Sequence, residues 1–270
     1  MEKNKSKKKM TKHELFINGL PIKKKSQAKF LGVIIDDQLS WEPHITALRR
    51  KLSYASATLY RIRDSLPTHL HKDLYHTLFE SHLTYCISVW GGSALNKISR
   101  LWIAQKHCIR VFFGDKEAYL DKFRTASRAR PFPNQLLGED FYRREHTKPL
   151  FQKYKVMTIQ NLYVYHTYME LFKILKLRSP ISLYGQFVIS DRKETMLISK
   201  RPANNFVSRS TKIWNIISPK MSVTDFCCKI NATKNHLKKA LLDLQHAENP
   251  VTWTSEDWNM TKIIKRPIKI

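Results

Sequence analysis

The sequence predicts an α+β fold that is mostly helical, with a small antiparallel β-hairpin followed by a helical bundle and a helical C-terminal region. Two short runs rich in strand-forming residues come first, between Glu14 and Asp36. After Trp41, apolar residues recur at steps of three and four, which is the spacing of one helix face. With 42% hydrophobic residues in a chain of 270, there is enough apolar material for a buried core.

The same patterns predict four segments along the chain. They are a basic flexible leader (1–12), a β-hairpin (13–40), a helical bundle (41–130) and a helical C-terminal region with irregular segments (131–270). The leader is too rich in lysine to pack. The stretch Arg128–Asn134 contains two prolines and has no periodicity, so we place the main linker there.

The hairpin is predicted from two runs of strand length. These are Glu14–Ile22 and Ala28–Asp36, which are separated by polar residues and punctuated by Gly and Pro. We expect them to form a small antiparallel sheet.

Three helices are predicted next. The first runs from Trp41 to near Leu66-Pro67, the second from Thr68 to about Val89, and the third from Leu95 to Phe113, where Gly114 stops it. The inward side chains of the first are predicted to be Ile45, Leu48, Leu52, Ala55, Leu59 and Ile62, and those of the second Leu70, Leu74, Leu78 and either Tyr85 or Cys86. Further helices are predicted over Thr158–Leu177 and from Thr233 to about Ala247, with an irregular segment from Arg178 to Asn205 between them.

The charge of the chain favours a polyanionic partner. Lys and Arg number 48 against 22 Asp and Glu, a net charge of +26, and nucleic acid is the leading candidate. On the first helix, Arg50 and Arg61 point away from the apolar stripe and Arg49 lies to its side. That basic face either holds phosphates or is merely solvated. The sequence contains no apolar run of about 20 residues and no signal-peptide core, so we expect an intracellular protein, nuclear or cytoplasmic, without a membrane span.

Other residue clusters allow two interpretations. The adjacent Asp36 and Asp37 suit a metal-binding pair or, as we favour, a turn between a strand and a helix start. The histidines at 69, 71, 76 and 82 do not share a helical face, and we expect solvated or capping roles rather than a metal site.

Interleaved aromatic and basic residues at 154–155, 162–168 and 212–214 either stack on bases or pack in the core. All four cysteines are predicted to be free thiols, and glycine-rich phosphate loops are absent from the sequence.

Read in order, several motifs resemble the C-terminal portion of a reverse transcriptase from a non-LTR (LINE-type, jockey-like) retrotransposon. The specific part is Lys29–Asp36, read KFLGVIID, followed by Leu39–Ile45, read LSWEPHI. Shorter echoes follow in the same order at Leu83-Thr84-Tyr85-Cys86, at Val89-Trp90-Gly91 and at Ala104–Gly114.

The resemblance implies a grip and a thumb for template and primer. By that resemblance Phe30, Leu31 and Gly32 are the primer grip, and the helix carrying Arg49, Arg50 and Arg61 is the thumb helix nearest the duplex. The expected partners are RNA and RNA:DNA duplex, together with a palm-containing polypeptide, and no small-molecule substrate is expected. The family's Tyr-x-Asp-Asp palm motif does not occur in the 270 residues, so we expect Mg²⁺ to belong to a separate palm and this chain to be inactive in polymerisation alone.

Two other kinds of function stay open at this point. The first is a relic transposon reading frame without activity. The second is a basic non-catalytic module that binds protein or anionic lipid surfaces.

Overall fold

The protein is described here from a computed structural model, which covers residues 16–114, 147–190, 193–199, 205–218 and 230–246. The expected leader (1–12) and linker (128–134) lie outside these residues, as does the boundary at 130. The strands are β1 (Phe16–Ile17), β2 (Leu20–Pro21), β3 (Gln27–Phe30), β4 (Val33–Asp36), β5 (Phe187–Ser190) and β6 (Lys193–Ser199). The helices are α1 (Glu42–Ile62), α2 (His71–Tyr75), α3 (Ser81–Thr84), α4 (Ile87–Trp90), α5 (Leu95–Phe113), α6 (Lys148–Tyr154), α7 (Ile159–Leu177), α8 (Ile181–Tyr184), α9 (Phe206–Ile217) and α10 (Ile230–His246).

The fold class is confirmed, since the described chain is mostly helical with small antiparallel strand pairs. The pairing predicted between the two N-terminal runs is wrong. Each run instead folds on itself, β1 with β2 and β3 with β4. The reason is a two-residue turn in each run, at Asn18-Gly19 and Leu31-Gly32, with all four φ angles positive. Turns of this kind match the twist of a hairpin and close it locally.

The first and third predicted helices are confirmed and pack against each other. In α1, Ile45, Leu52 and Leu59 are fully buried, while α5 ends at Phe113 as expected. Beyond the end of α1, Arg63 donates hydrogen bonds to the carbonyls of Val111 (2.5 Å) and Gly114 (2.9 Å). Because a helix C-terminus leaves carbonyl groups without partners, this cation ties the two helix ends together.

The inward face predicted for the second helix is confirmed in part, because Leu74, Leu78 and Cys86 are half-buried against the core. Tyr75, Phe79 and Leu83 are fully buried, whereas Leu70 and Tyr85 are exposed. A π turn over His76–Glu80 joins α2 to α3. On a regular α-helix, residues four apart such as Tyr75, Phe79 and Leu83 are each offset by about 40° around the axis. The π turn has more residues per turn, so it reduces this offset and keeps the three side chains on one face. The helix also stops earlier than expected, because Cys86 takes a φ of 52° and separates α3 from α4.

The start of α7 is the junction between the N-terminal helices and the rest of the described chain. Buried Gln105 donates to the Tyr75 hydroxyl (3.0 Å) and to the carbonyl of Met157 (2.9 Å), and its side-chain oxygen accepts from the backbone N–H of Ile159 (2.9 Å). Thr158 caps the same helix. One side chain therefore satisfies groups from three segments, and α7 begins where the sequence predicts.

The segment predicted as irregular before residue 205 instead contains the β5–β6 hairpin, which packs against α9. Asn215 on α9 exchanges two hydrogen bonds of 2.8 Å with the backbone of Leu197 on β6. Trp214 is buried and stacks on Tyr168 of α7, with 5.0 Å between ring centroids. The aromatic residues of this region thus pack in the core, which was one of the two interpretations.

Candidate functional site

The tip of the β3–β4 hairpin presents apolar side chains to solvent. Phe30 and Val33 are paired across the turn, so Leu31 and Gly32 form the two-residue tip. Their φ angles are 45° and 84°, and Gly32 takes the second at no steric cost. Phe30 is 64% exposed and Leu31 73% exposed. Both large apolar side chains at the tip are therefore open to solvent and contribute little to the packing of the described chain.

Tyr85 fixes the position of that tip. Its hydroxyl donates to the carbonyl oxygen of Leu31 at 2.6 Å. A Cβ placed on Gly32 would lie 3.4 Å from the Tyr85 ring, so the ring occupies the space beside the glycine where a side chain would begin. Behind Tyr85, the indole N–H of Trp90 donates to the Tyr85 carbonyl at 2.9 Å. The tip is thereby held against the segment that joins α3 to α4.

The other end of the hairpin is joined to the start of α1 by Asp36. The two oxygens of its carboxylate accept from the backbone N–H groups of Ser40 and Trp41, each at 2.9 Å. Burial raises the pKa of Asp36, but these hydrogen bonds outweigh it and hold the pKa below its ordinary value. Asp37 is exposed and pairs with Lys24 at 3.6 Å. The turn-and-helix-start interpretation of the acidic pair is therefore confirmed.

Between the hairpin and α1 lies a cavity of about 400 Å³. Its walls are Lys29, Gly32, Ile34, His44, Ala47, Leu48, Lys51, His82 and Tyr85. The apolar part is formed by Ile34, Ala47 and Leu48, and the exposed lysines come from β3 and α1. The hairpin and about two turns of α1 thus line an apolar space with two cations at its edge.

His44 connects the two walls of this cavity. Its Nδ1 accepts from the backbone N–H of Ile34 at 3.3 Å, which places the ring proton on Nε2 in the neutral form. Burial lowers the pKa of His44, and the nearby Lys51 lowers it further. His44 is therefore neutral at pH 7, and Lys51 supplies the charge.

The predicted arginines occupy two sides of α1. Arg50 and Arg61 are exposed and lie two and nine residues from the buried Leu52, which at 100° per residue puts both on the side away from the core. Tyr54 lies between them on the same side and is 76% exposed. Arg49 is also exposed but lies about 160° around the helix from Lys51. The structure thus brings Arg50 and Arg61 together with Tyr54, and it separates Arg49 from the cavity.

The predicted histidine cluster does not form one site. His71 is buried with Nε2 3.0 Å from the carbonyl of Arg63, and His76 pairs with Glu80 at 3.0 Å. His82 is exposed at the cavity and His69 is exposed elsewhere. Within the described ranges, no group of three or more His, Cys, Asp or Glu side chains is arranged to hold a metal ion. None of the helices in these ranges is both long and apolar enough to cross a bilayer.

Several residues of this surface were not predicted from the sequence. They are Lys29, Lys51, Tyr54, His82 and Tyr85. An aromatic residue on the polar face of α1, between two arginines, is a signal that identifies Tyr54. Tyr85 occurs in one of the shorter motifs of the resemblance, but nothing in the sequence pairs it with Leu31, which is 54 residues away.

Comparison with known proteins supports a relation to transposon polymerases. The chain is 26% identical over 110 residues to a probable RNA-directed DNA polymerase from the transposon X-element of Drosophila melanogaster. The matched residues are 40% of this chain and span 12% of that protein's length. No family model and no solved structure matches the chain.

Proposed function

We propose that this chain binds the template and primer nucleic acid of a non-LTR retrotransposon reverse transcriptase. In this proposal it is a fragment of an RNA-directed DNA polymerase that holds RNA or RNA:DNA duplex, while a palm-containing polypeptide carries out the polymerisation. The observation that carries the proposal is the exposed apolar tip, Phe30 and Leu31, fixed beside a helix whose solvent side carries Arg50, Tyr54 and Arg61.

The charges of the chain suit this role. A duplex presents a row of phosphates, and Lys and Arg bind such a row without reading its sequence. Arg50 and Arg61 are exposed on the same side of α1, and the whole chain carries a net charge of +26. The relation to a transposon polymerase favours nucleic acid over other polyanions.

The positions of the predicted grip residues also support the proposal. Phe30, Leu31 and Gly32 are at the tip of the hairpin, where Phe30 and Leu31 are exposed and the Cβ side of Gly32 faces the Tyr85 ring. At such a tip a nucleic-acid strand can approach the backbone closely while Phe30 and Leu31 contact its sugars and bases. These contacts position a strand and supply no chemistry.

The test is the salt dependence of binding to a blunt RNA duplex, measured by fluorescence anisotropy on the full chain. We expect the affinity to fall at least about tenfold between about 50 and 200 mM salt, because each phosphate contact releases counterions. A flat salt response overturns the proposal. Competition by anionic vesicles, with duplex RNA failing to compete, would instead favour the lipid-binding module.

The relic interpretation needs its own measurement. A cooperative thermal transition, followed by circular dichroism, is expected of a chain with this buried core. Broad, non-cooperative melting would favour a decayed reading frame without a selected activity.

A further inference from the structure

We propose that the cavity between the hairpin and α1 takes one unpaired nucleotide from the end of a bound duplex. The base would lie against Ile34, Leu48 and the Tyr85 ring, and its phosphate would meet Lys29 and Lys51. This inference rests on the proposed function and assigns a ligand to a part of the surface that duplex holding does not use.

The size and lining of the cavity carry the first step. About 400 Å³ is within the range of small-molecule sites and admits a single nucleotide. A nucleotide combines flat apolar faces with an anionic phosphate. The cavity has the matching features, because apolar walls from β4 and α1 lie next to two exposed lysines from β3 and α1.

The Tyr85 ring adds a stacking surface. It lines the cavity, and its hydroxyl is engaged by the Leu31 carbonyl, so the ring cannot turn away without breaking that bond. The ring also lies beside Gly32, and both residues line the cavity at the hairpin tip. Aromatic rings beside phosphate-binding cations are the usual means of holding single-stranded nucleotides.

His44 is a further polar group in the cavity wall. It is 7% exposed, and its Nδ1 accepts from the backbone N–H of Ile34. Its Nε2 has no hydrogen-bond partner among the described residues, but this atom has almost no accessible surface and does not face the open cavity. The ring is therefore part of the wall, and the proposal assigns it no hydrogen bond to the nucleotide.

The ligands for the test are four RNA duplexes of one sequence. The first is blunt, the second and third carry one unpaired nucleotide at the 3′ or the 5′ end, and the fourth carries the preferred extension without its base. We expect one extended duplex to bind about fivefold or more tightly than the blunt one, as stacking of a single base provides. The extension without a base should bind like the blunt duplex, and this arm needs no variant protein.

The matched variants are Ala47→Phe and Ala57→Phe. Ala47 is half-buried in the cavity wall, so the added ring fills the space, whereas Ala57 is exposed on the same helix and outside that wall. We expect Ala47→Phe to abolish the preference for the extended duplex while blunt-duplex affinity stays within about twofold, and Ala57→Phe to retain the preference. Thermal melting confirms that each variant is folded.

The outcomes separate the two proposals. Salt-sensitive binding of the blunt duplex with equal affinity for every extension overturns the nucleotide site and leaves the proposed function intact. A preference that survives Ala47→Phe, or survives removal of the base, also overturns it. Absence of salt-sensitive binding to any duplex overturns the proposed function and this inference with it.

Discussion

The hydroxyl of Tyr85 donates a hydrogen bond to the backbone carbonyl of Leu31, with 2.6 Å between the two oxygens. This bond joins a hairpin tip to the end of a helix that is 54 residues away in the sequence. Apart from it, both Leu31 and Phe30 are mostly exposed, so few packing contacts hold the tip. The orientation of the tip therefore depends on this bond.

Replacing Tyr85 by Phe should loosen the tip and leave the fold intact. A single exposed hydrogen bond contributes about 0.5–1.5 kcal/mol, so we expect duplex affinity to fall by no more than about tenfold. Hydrogen exchange should increase over residues 27–36, while the melting temperature stays nearly unchanged. Unchanged exchange in this hairpin would contradict the positioning role of Tyr85. Tyr54→Phe is the matched control for hydrogen exchange in the hairpin, because it removes a hydroxyl from an exposed tyrosine outside the hairpin contact.

Replacing Arg50 and Arg61 together by Ala should reduce the salt dependence of duplex binding. Each lost phosphate contact lowers the slope of log K against log salt by about 0.9, so the double variant should lose about 2 in slope. Titrations at several salt concentrations measure this directly.

Arg49→Ala is the comparison for that pair, because Arg49 lies on another side of α1. We expect its slope to stay close to that of the unaltered chain. A loss of about 1 in this variant would show that the duplex also reaches the Arg49 side, and the predicted role of Arg49 would then stand.

Replacing Gln105 by Leu should destabilise the protein without affecting the surface. The change leaves the Ile159 N–H and the Met157 carbonyl buried without their partner. Each such group costs about 1–3 kcal/mol, so we expect the free energy of unfolding to fall by about 3 kcal/mol in urea titrations. The same substitution at exposed Gln38 is the control and should have little effect.

Cys108 should be unreactive in the folded protein. Burial raises the pKa of its thiol to about 12, and the hydrogen bond with Ser56 opposes this only in part. At about pH 8.5 the thiolate that reacts with alkylating agents is therefore almost absent. Mass spectrometry after iodoacetamide treatment should find Cys108 modified only when guanidinium is present. Rapid modification without denaturant would show that this helix pair opens.

Stability should fall as the pH drops from about 7.5 to about 5. Burial lowers the pKa of His44, His107 and His166, and for His166 this outweighs the opposing effect of Glu80 and Glu170. Near pH 6.5 the unfolded chain thus binds more protons than the folded chain. The free energy of unfolding is therefore highest above about pH 7.5 and falls as the pH drops below that. The carboxylates of Asp36 and Glu42, whose pKa values are lowered, lose their contribution only at lower pH.

Melting temperatures across this range check the prediction. His44→Gln should flatten part of the decline, because the amide does not take up a proton. A melting temperature that rises on acidification would contradict the neutral state of these histidines.

Regular helices were predictable from the sequence, and long-range contacts were not. The apolar repeats in α1 and α5 are long, so the predicted start and end of each helix lie within a few residues of those in the structure. Gly114 marks the end of α5. The fully buried residues of the second helix, Tyr75, Phe79 and Leu83, were missed, because the π turn places residues four apart on one face. The self-closure of the N-terminal runs was missed although Asn18-Gly19 is a typical hairpin turn pair.

The site was predictable only in part for a related reason. The hairpin tip and the arginines belong to local patterns, so the sequence alone indicates where they lie, while their binding of nucleic acid stays a prediction. The cavity is formed by side chains from β3, β4, α1 and the end of α3, and no local pattern indicates that these segments meet.

The π turn over His76–Glu80 sets the orientation of every residue that follows it in this helical segment. The backbone N–H of Ser81 reaches the carbonyl of His76, five residues back, so the turn contains one residue more than an α-helical turn. If the same residues formed an uninterrupted α-helix, the residues after the turn would move by about 100° around the helix axis. Tyr85 would then leave Leu31, and Leu83 would leave the core at the same time. One backbone hydrogen bond thus sets both the packing of this segment and the attachment of the hairpin.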